Sequence, residues 1–359
     1  MGLIRFILAV SVVAAHAGAI FGLHLVGGRV AVQSFYVISG FYMSLVLNEK
    51  YLDKKNSYRL FIGNRFLRLF PVYWTVLLCV LAYSLVIHFL NIQDNGAFKN
   101  YIEYFNVMNI SSFLFLVLTN VGILFQDWVM FMGINIYNGM MFFTGHPTSL
   151  ELPLSIFLFI PQAWSIGVEL TFYLIAPFVV KKPLKWVLLL MFLSLSLRAY
   201  LMTVGLDKDP WTYRFFPTEL FFFLLGNVSY CIYKKICTVD IKTIYFKLAF
   251  YFILFFIALF EVFHFKLFGY LFVGIFSLLL PFIFCLTKNW KVDTYVGELS
   301  YPIYISHVFV LDVVLNVSQS IESGAVVLLF TILFSVLLNE CVSKKVEKIR
   351  QKRVLVSNN

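Results

Sequence analysis

The chain has 359 residues, 61% of them apolar and only 13% charged, with a net charge of +10 and a mean hydropathy of +0.88. A soluble domain is about half apolar and about a quarter charged, and one exposing this much Phe, Tyr, Leu and Val would aggregate, so the composition excludes a set of soluble domains. The charge does not point to nucleic acid either, because the basic residues sit in clusters between apolar runs, as the positive-inside rule expects.

Ten runs are long enough to cross a bilayer at about twenty residues each: 4–24, 31–48, 69–90, 161–180, 186–204, 215–233, 246–263, 267–286, 300–318 and 324–342. The run 1–24 lacks a clean cleavage site and reads as a first anchor. Residues 111–125 are apolar but short. They read as a re-entrant or interfacial helix inside an outer region, 91–160, that also holds Gly, Asn, Pro and scattered polar residues. With the N-terminus inside, 22 of the 28 basic residues fall on one side. These include Arg5, then Lys50, Lys54, Lys55, Arg59, Arg65 and Arg68, and later Lys181, Lys182 and Lys185. Arg29, Lys99, Arg198, Lys208, Arg214 and Lys266 remain for the outer side or the outer leaflet. Counting 111–125 as a full span would reverse every later cluster. The expectation is an all-α integral membrane protein of about ten transmembrane helices, N-in and C-in. It is organised as one membrane domain, 1–342, and a basic cytoplasmic tail, 343–359. The five cysteines show neither paired nor ligand spacing, so neither a disulfide nor a metal site is expected.

Polar groups inside a bilayer cost energy, so each needs a reason. Arg5 and His16 stand eleven residues apart, about three helical turns and about 16 Å along the axis, and share one face. His16 then lies near mid-membrane above Arg5. A packing histidine over an ordinary basic anchor fits the same spacing. Ser39-Gly40 permits close helix approach, and Ser39 stands at about the depth of His16, where a polar cavity would have it as a wall. Arg65 and Arg68 project from one face, with Pro71 in the first turn of the third span. They either set topology and touch headgroups or form an anion clamp, because Arg binds phosphate bidentately.

Glu169 lies about two turns into the fourth span, flanked by Trp164, Ser165 and Tyr173. A carboxylate at that depth must be paired or protonated, as a structural partner for an Arg or His, as a catalytic group, or as both. His307 is placed in the inner half of the ninth span and reads as structural on spacing alone, with Asp312 higher on the same helix. Arg198, Arg214 and Glu219 gather toward the outer ends of the fifth and sixth spans. Headgroup snorkelling accounts for Arg198, and an outer acceptor site would use the same charges.

Together these segments resemble the acyltransferase 3 family of integral membrane O-acyltransferases, bacterial surface-polysaccharide type. Arg5 and His16 with ten residues between them resemble its signature in helix one. Phe35-Tyr36-Val37-Ile38-Ser39-Gly40-Phe41 is similar to its Ser-Gly-Phe segment, and Arg65-x-x-Arg68 with Pro71 and Trp74 to its arginine pair. Trp164-Ser165-Ile166-Gly167-Val168-Glu169 with Phe172-Tyr173 resembles its Trp-Ser-x-x-x-Glu helix. Ser300-Tyr301-Pro302-Ile303-Tyr304-Ile305-Ser306-His307 resembles its late segment. Gly167, where a bulkier residue is common, and Pro302 depart from the pattern without removing a chemical group.

The resemblance implies a bacterial inner-membrane, multi-pass O-acetyltransferase. Acyl-CoA, usually acetyl-CoA, is its co-substrate, with no tightly bound cofactor and no metal. The acceptor is a sugar hydroxyl of an envelope glycan or lipid-linked oligosaccharide, lipopolysaccharide O-antigen first. Membrane lipid is the other expected partner, and nucleic acid is not one. On that reading His16 and Glu169 are catalytic, with Glu169 orienting the imidazole. Arg5, Arg65 and Arg68 hold the acyl-CoA phosphates. Ser39, Trp164, Ser165, Tyr173 and His307 line the site, and Arg198 and Arg214 serve the acceptor side. Tyr101, Tyr104, Trp128, Asn135, Asn138, His146, Trp211 and Tyr213 are sugar-binding residue types in the outer regions, although Trp and Tyr are also ordinary interfacial anchors. A transporter or flippase of a lipid-linked sugar would also bury charges, but no internal repeat is visible.

Overall fold

The computed structural model describes residues 1–51, 57–90, 97–263, 267–317 and 324–356. Lys54, Lys55 and Lys266, which entered the charge count, lie outside the described residues, as do residue 318 of the ninth run and the last three of the tail. The helices are α1 (Gly2–Ala17), α2 (Gly27–Glu49), α3 (Ser57–Phe89), α4 (Lys99–Tyr104), α5 (Ile110–Gly122), α6 (Gln126–Val129), α7 (Trp164–Val179), α8 (Leu184–Thr203), α9 (Phe216–Ile236), α10 (Thr243–Ala258), α11 (Phe268–Thr287), α12 (Lys291–Val317), α13 (Gly324–Leu338) and α14 (Lys344–Val356). Six helical stretches are long and apolar enough to cross a membrane: Gly27–Glu49, Ser57–Phe89, Leu184–Thr203, Phe268–Thr287, Lys291–Val317 and Gly324–Val354. The chain is a nearly all-α membrane protein.

Most expected runs are helical, with four differences. The first helix stops at Ala17 instead of 24. Gly18 and Gly22 take φ of 89° and 81° there, a region that only glycine enters without steric cost. The third helix begins at Ser57, so Pro71 lies in its interior and not in its first turn. The backbone hydrogen bond that proline removes is outweighed by the buried Phe61, Leu69, Phe70 and Tyr73 around it. The tail is a helix, α14, packed on α3. Finally, the chain between α6 and α7 holds a small antiparallel hairpin, β1 (Met132–Ile134) with β2 (Met141–Phe143), pairing Met132 with Phe143 and Ile134 with Met141. Three-residue strands leave no alternation to read.

α2 is central and packs on α9, α1, α11 and α7. Its contact with α9 is backbone to backbone: a Cβ on Gly40 would lie 1.9 Å from the Phe223 carbonyl oxygen, and one on Gly226 2.1 Å from that of Val37. Small residues let membrane helices approach this closely. Phe223 is stacked between Tyr36, 4.5 Å away, and Phe172, 4.3 Å away. The start of α1 is registered against α12 by Asp293, whose carboxylate accepts from the backbone N–H of Gly2 (2.6 Å) and Leu3 (2.8 Å), in the manner of a helix cap. Gly167 makes room for α6, since a Cβ there would sit 3.1 Å from Asp127 Oδ1.

Candidate active site

Five helices, α1, α2, α3, α7 and α12, enclose a cleft of about 710 Å³. Arg5, Ser39, Arg68, Ser165, Glu169, Tyr173 and Tyr304 line it. Along α2 the lining runs from Val32 to Met43, about 16 Å at the helical rise. Arg5 and Arg68 are near enough to act on each other electrostatically. Among the described residues neither of them forms an ion pair. Arg65 does not line the cleft. It is buried behind Tyr173, with its guanidinium 5.9 Å from that ring and 5.7 Å from the ring of Phe61, and its Nε and Nη1 have no hydrogen-bond partner among the described residues. Three arginines outnumber the one carboxylate, Glu169, that shares the cleft with Arg5 and Arg68; cations left unpaired are costly to bury and suit a polyanion, which Arg forks bind bidentately.

Glu169 sits in the middle of the cleft. Its Oε1 accepts from the Ser39 hydroxyl at 2.6 Å and from the Tyr173 hydroxyl, and its field reaches both Arg5 and Arg65. Nearer Val32, the hydroxyls of Ser165 and Tyr304 lie 2.5 Å apart. Both are 3.1 Å from the carbonyl oxygen of Gln162. This three-residue contact closes that end of the cleft.

His16 is elsewhere. It ends α1, is exposed, and does not line the cleft. Its Nδ1 lies 2.9 Å from the Val12 carbonyl oxygen and 3.3 Å from His307 Nε2. His307 is buried, and its Nδ1 lies 2.7 Å from the Tyr304 carbonyl oxygen. Carbonyls only accept, which assigns the tautomers. His307 donates from Nδ1 to Tyr304, so its Nε2 holds a lone pair. His16 donates from Nδ1, shared between Val12 and His307, so its Nε2 holds a free lone pair. Such a nitrogen can take a proton from a hydroxyl. The side chain that meets His16 is therefore His307 and not Glu169, which the structure pairs with Ser39 and Tyr173.

A family model described as an acyltransferase domain matches residues 1–340. The chain belongs to the acyltransferase 3 family. Among curated proteins and among solved structures, none matches it. The match takes in every helix around the cleft of this membrane acyltransferase and stops short of α14.

In this acyltransferase the remaining expected site residues are spread apart. Ser39, Ser165 and Tyr173 line the cleft, whereas Trp164 lies beside it under Arg214, whose guanidinium is 4.5 Å from the Trp164 ring. Arg214 pairs with Asp209 at 2.7 Å. Arg198 is 4% exposed and does not snorkel. It pairs with the fully buried Glu219 at 2.7 Å and donates to Thr212, Thr218 and Tyr270. Sequence reasoning missed three residues. Gln162 carries the closing contact, with only its place before Trp164 as a signal. Arg350 of α14 reaches the arginine group, since it feels the charges of Arg65 and Arg68, and Arg353 of the same helix packs its guanidinium against Gly63 of α3.

Proposed function

We propose that this acyltransferase moves an acyl group, acetyl first, from acyl-CoA at the cytoplasmic face of the bacterial inner membrane to a sugar hydroxyl of an envelope glycan, lipopolysaccharide O-antigen first. The observation that carries this reading is the arginine group at one end of a cleft about 16 Å long, with no carboxylate in an ion pair with Arg5, Arg65 or Arg68 among the described residues. That length suits the thin pantetheine arm of a donor whose phosphates stay on the arginines. On this reading the chain crosses the membrane ten times, N-in and C-in, and 111–125 does not span.

His16 and His307 lie outside the cleft, beside Tyr304 at its closed end, so on this reading the thioester end of the arm passes the Ser165–Tyr304 contact, and His16 Nε2 takes the proton of the acceptor hydroxyl as its oxygen attacks the thioester carbon. The C–S bond breaks, and the CoA thiolate takes the proton back from the imidazolium. His307 holds the imidazole in its productive tautomer. Glu169 acts on the donor side, holding the Ser39 and Tyr173 hydroxyls and offsetting the arginines around the thioester arm.

Membranes containing the protein are expected to consume acetyl-CoA only with a glycan acceptor present. His16→Ala is expected to reduce turnover by about 10²-fold or more, and Arg68→Ala to raise the apparent KM for acetyl-CoA. Mass spectrometry of surface glycans from cells with and without the protein identifies the acylated sugar. Unchanged turnover in His16→Ala refutes the catalytic assignment.

A further inference from the structure

A second cavity, of about 720 Å³, lies on the other side of Gln162, between the C-terminal halves of α3 and α12, the start of α4 and the chain entering α7. We propose that it is the acceptor-recognition site and that it takes an uncharged sugar residue. The inference rests on the proposed transfer to a glycan and names the part of the glycan that is held.

The strongest indication is Gln162. It is 5% exposed and lines this cavity. Its Nε2 donates to the Ile305 carbonyl at 2.8 Å, while its Oε1 has no partner among the described residues. Buried amide oxygens are almost always bonded, so this one is set for a donor from a ligand. Asp312, an exposed residue, lines the same space and has no ion-pair or hydrogen-bond partner among the described residues, so its carboxylate is open to a ligand. The Tyr83 oxygen accepts from Asn316 at 3.2 Å, and the Ser84 oxygen from the Ala97 N–H at 3.2 Å. Each hydroxyl therefore keeps its own hydrogen to donate. The cavity thus offers two unused acceptors and two unused donors beside the apolar ring of Phe309, which meets Tyr83 at 5.7 Å. Sugars present hydroxyls, which both donate and accept, around an apolar ring face.

Charge separates this cavity from the first. Among the described residues no cation lines it, while Arg5 and Arg68 line the cleft. A CoA phosphate or a uronate would meet Asp312 with nothing to offset it, and an uncharged sugar would not. The two spaces share one wall, because the Gln162 carbonyl receives the Ser165 and Tyr304 hydroxyls of the cleft.

The test uses the full chain. Vesicles from producing cells receive acetyl-CoA labelled in its acetyl group, and label in polysaccharide is counted. Acetyl-CoA affinity is measured separately on detergent-purified protein, from the rise in Tm with ligand. Asp312→Asn removes charge without volume. Val308→Trp fills the cavity, which Val308 lines, without removing a polar group. Each is expected to lower polysaccharide label at least tenfold while acetyl-CoA affinity stays within about twofold, and the ligand-induced Tm rise shows that each is folded. Native labelling in both variants, or a matching loss of acetyl-CoA affinity, overturns the assignment. In the native protein, excess methyl glucopyranoside is expected to compete with the polysaccharide and methyl glucuronate is not. Equal competition overturns the uncharged class. Native vesicles that label no polysaccharide overturn the underlying reading, and this inference with it.

Discussion

His16 keeps a lone pair on Nε2 because its Nδ1–H is committed twice, to Val12 and to His307. The two partners are unequal: the Val12 carbonyl belongs to the same helix and stays when His307 is removed. His307→Ala is therefore expected to lower kcat by roughly 10- to 100-fold, short of the full effect of losing a general base, with the acetyl-CoA KM unchanged. His307→Gln supplies an acceptor oxygen at the same place and is expected to recover part of the rate. Equal loss in both variants would mean that His307 only packs. Arg198 gives the opposite expectation. Its charge is spent on Glu219, and breaking a buried pair leaves one charge uncompensated, which costs about 3–5 kcal/mol. Arg198→Leu is expected to lower Tm in detergent while transfer per folded molecule stays native. A raised acceptor KM at native Tm would return Arg198 to the acceptor side.

Among the elements, α14 changes role most between sequence and structure. Its basic residues read as a cytoplasmic tail because charge density alone cannot say what a helix docks against. The docking depends on Gly63, where a Cβ would lie 2.9 Å from an Arg353 nitrogen, and on Arg350, whose side chain is 15% exposed and bonded to Glu347. Arg350→Ala with Arg353→Ala is expected to raise the acetyl-CoA KM roughly tenfold or more, since a hydrogen bond to a charged group contributes about 1.5–3 kcal/mol. A kcat loss without a KM change would show that α14 only braces α3. The apolar helices themselves were legible, since long runs such as Leu184–Thr203 declare themselves by length. Their ends were less so: Pro71 reads as a first-turn residue and lies inside a helix that begins at Ser57.

For the whole molecule, the sequence named most of the residues around the cleft but not their neighbours. Depth along a helix can be counted at about 1.5 Å per residue, so Ser39, Glu169 and Tyr304 could be placed in the bundle. Rotation and partner helix cannot be counted. That is why Glu169 was matched to His16, whereas α2 and α7 bring it to Ser39. The same limit hid the wall at Gln162, made by three residues from the chain before α7, α7 and α12. One further consequence follows from how early α1 stops. It has 16 residues, as have α7 and α10, about 24 Å each, against a hydrocarbon slab of about 30 Å. On the ten-span reading, lipid beside these helices must dimple inward to meet them, which shortens the distance an acyl group travels between leaflets. Turnover is therefore expected to be higher in vesicles of short-chain phosphatidylcholine than in long-chain ones. A rate indifferent to chain length would mean that tilt or neighbouring helices absorb the mismatch.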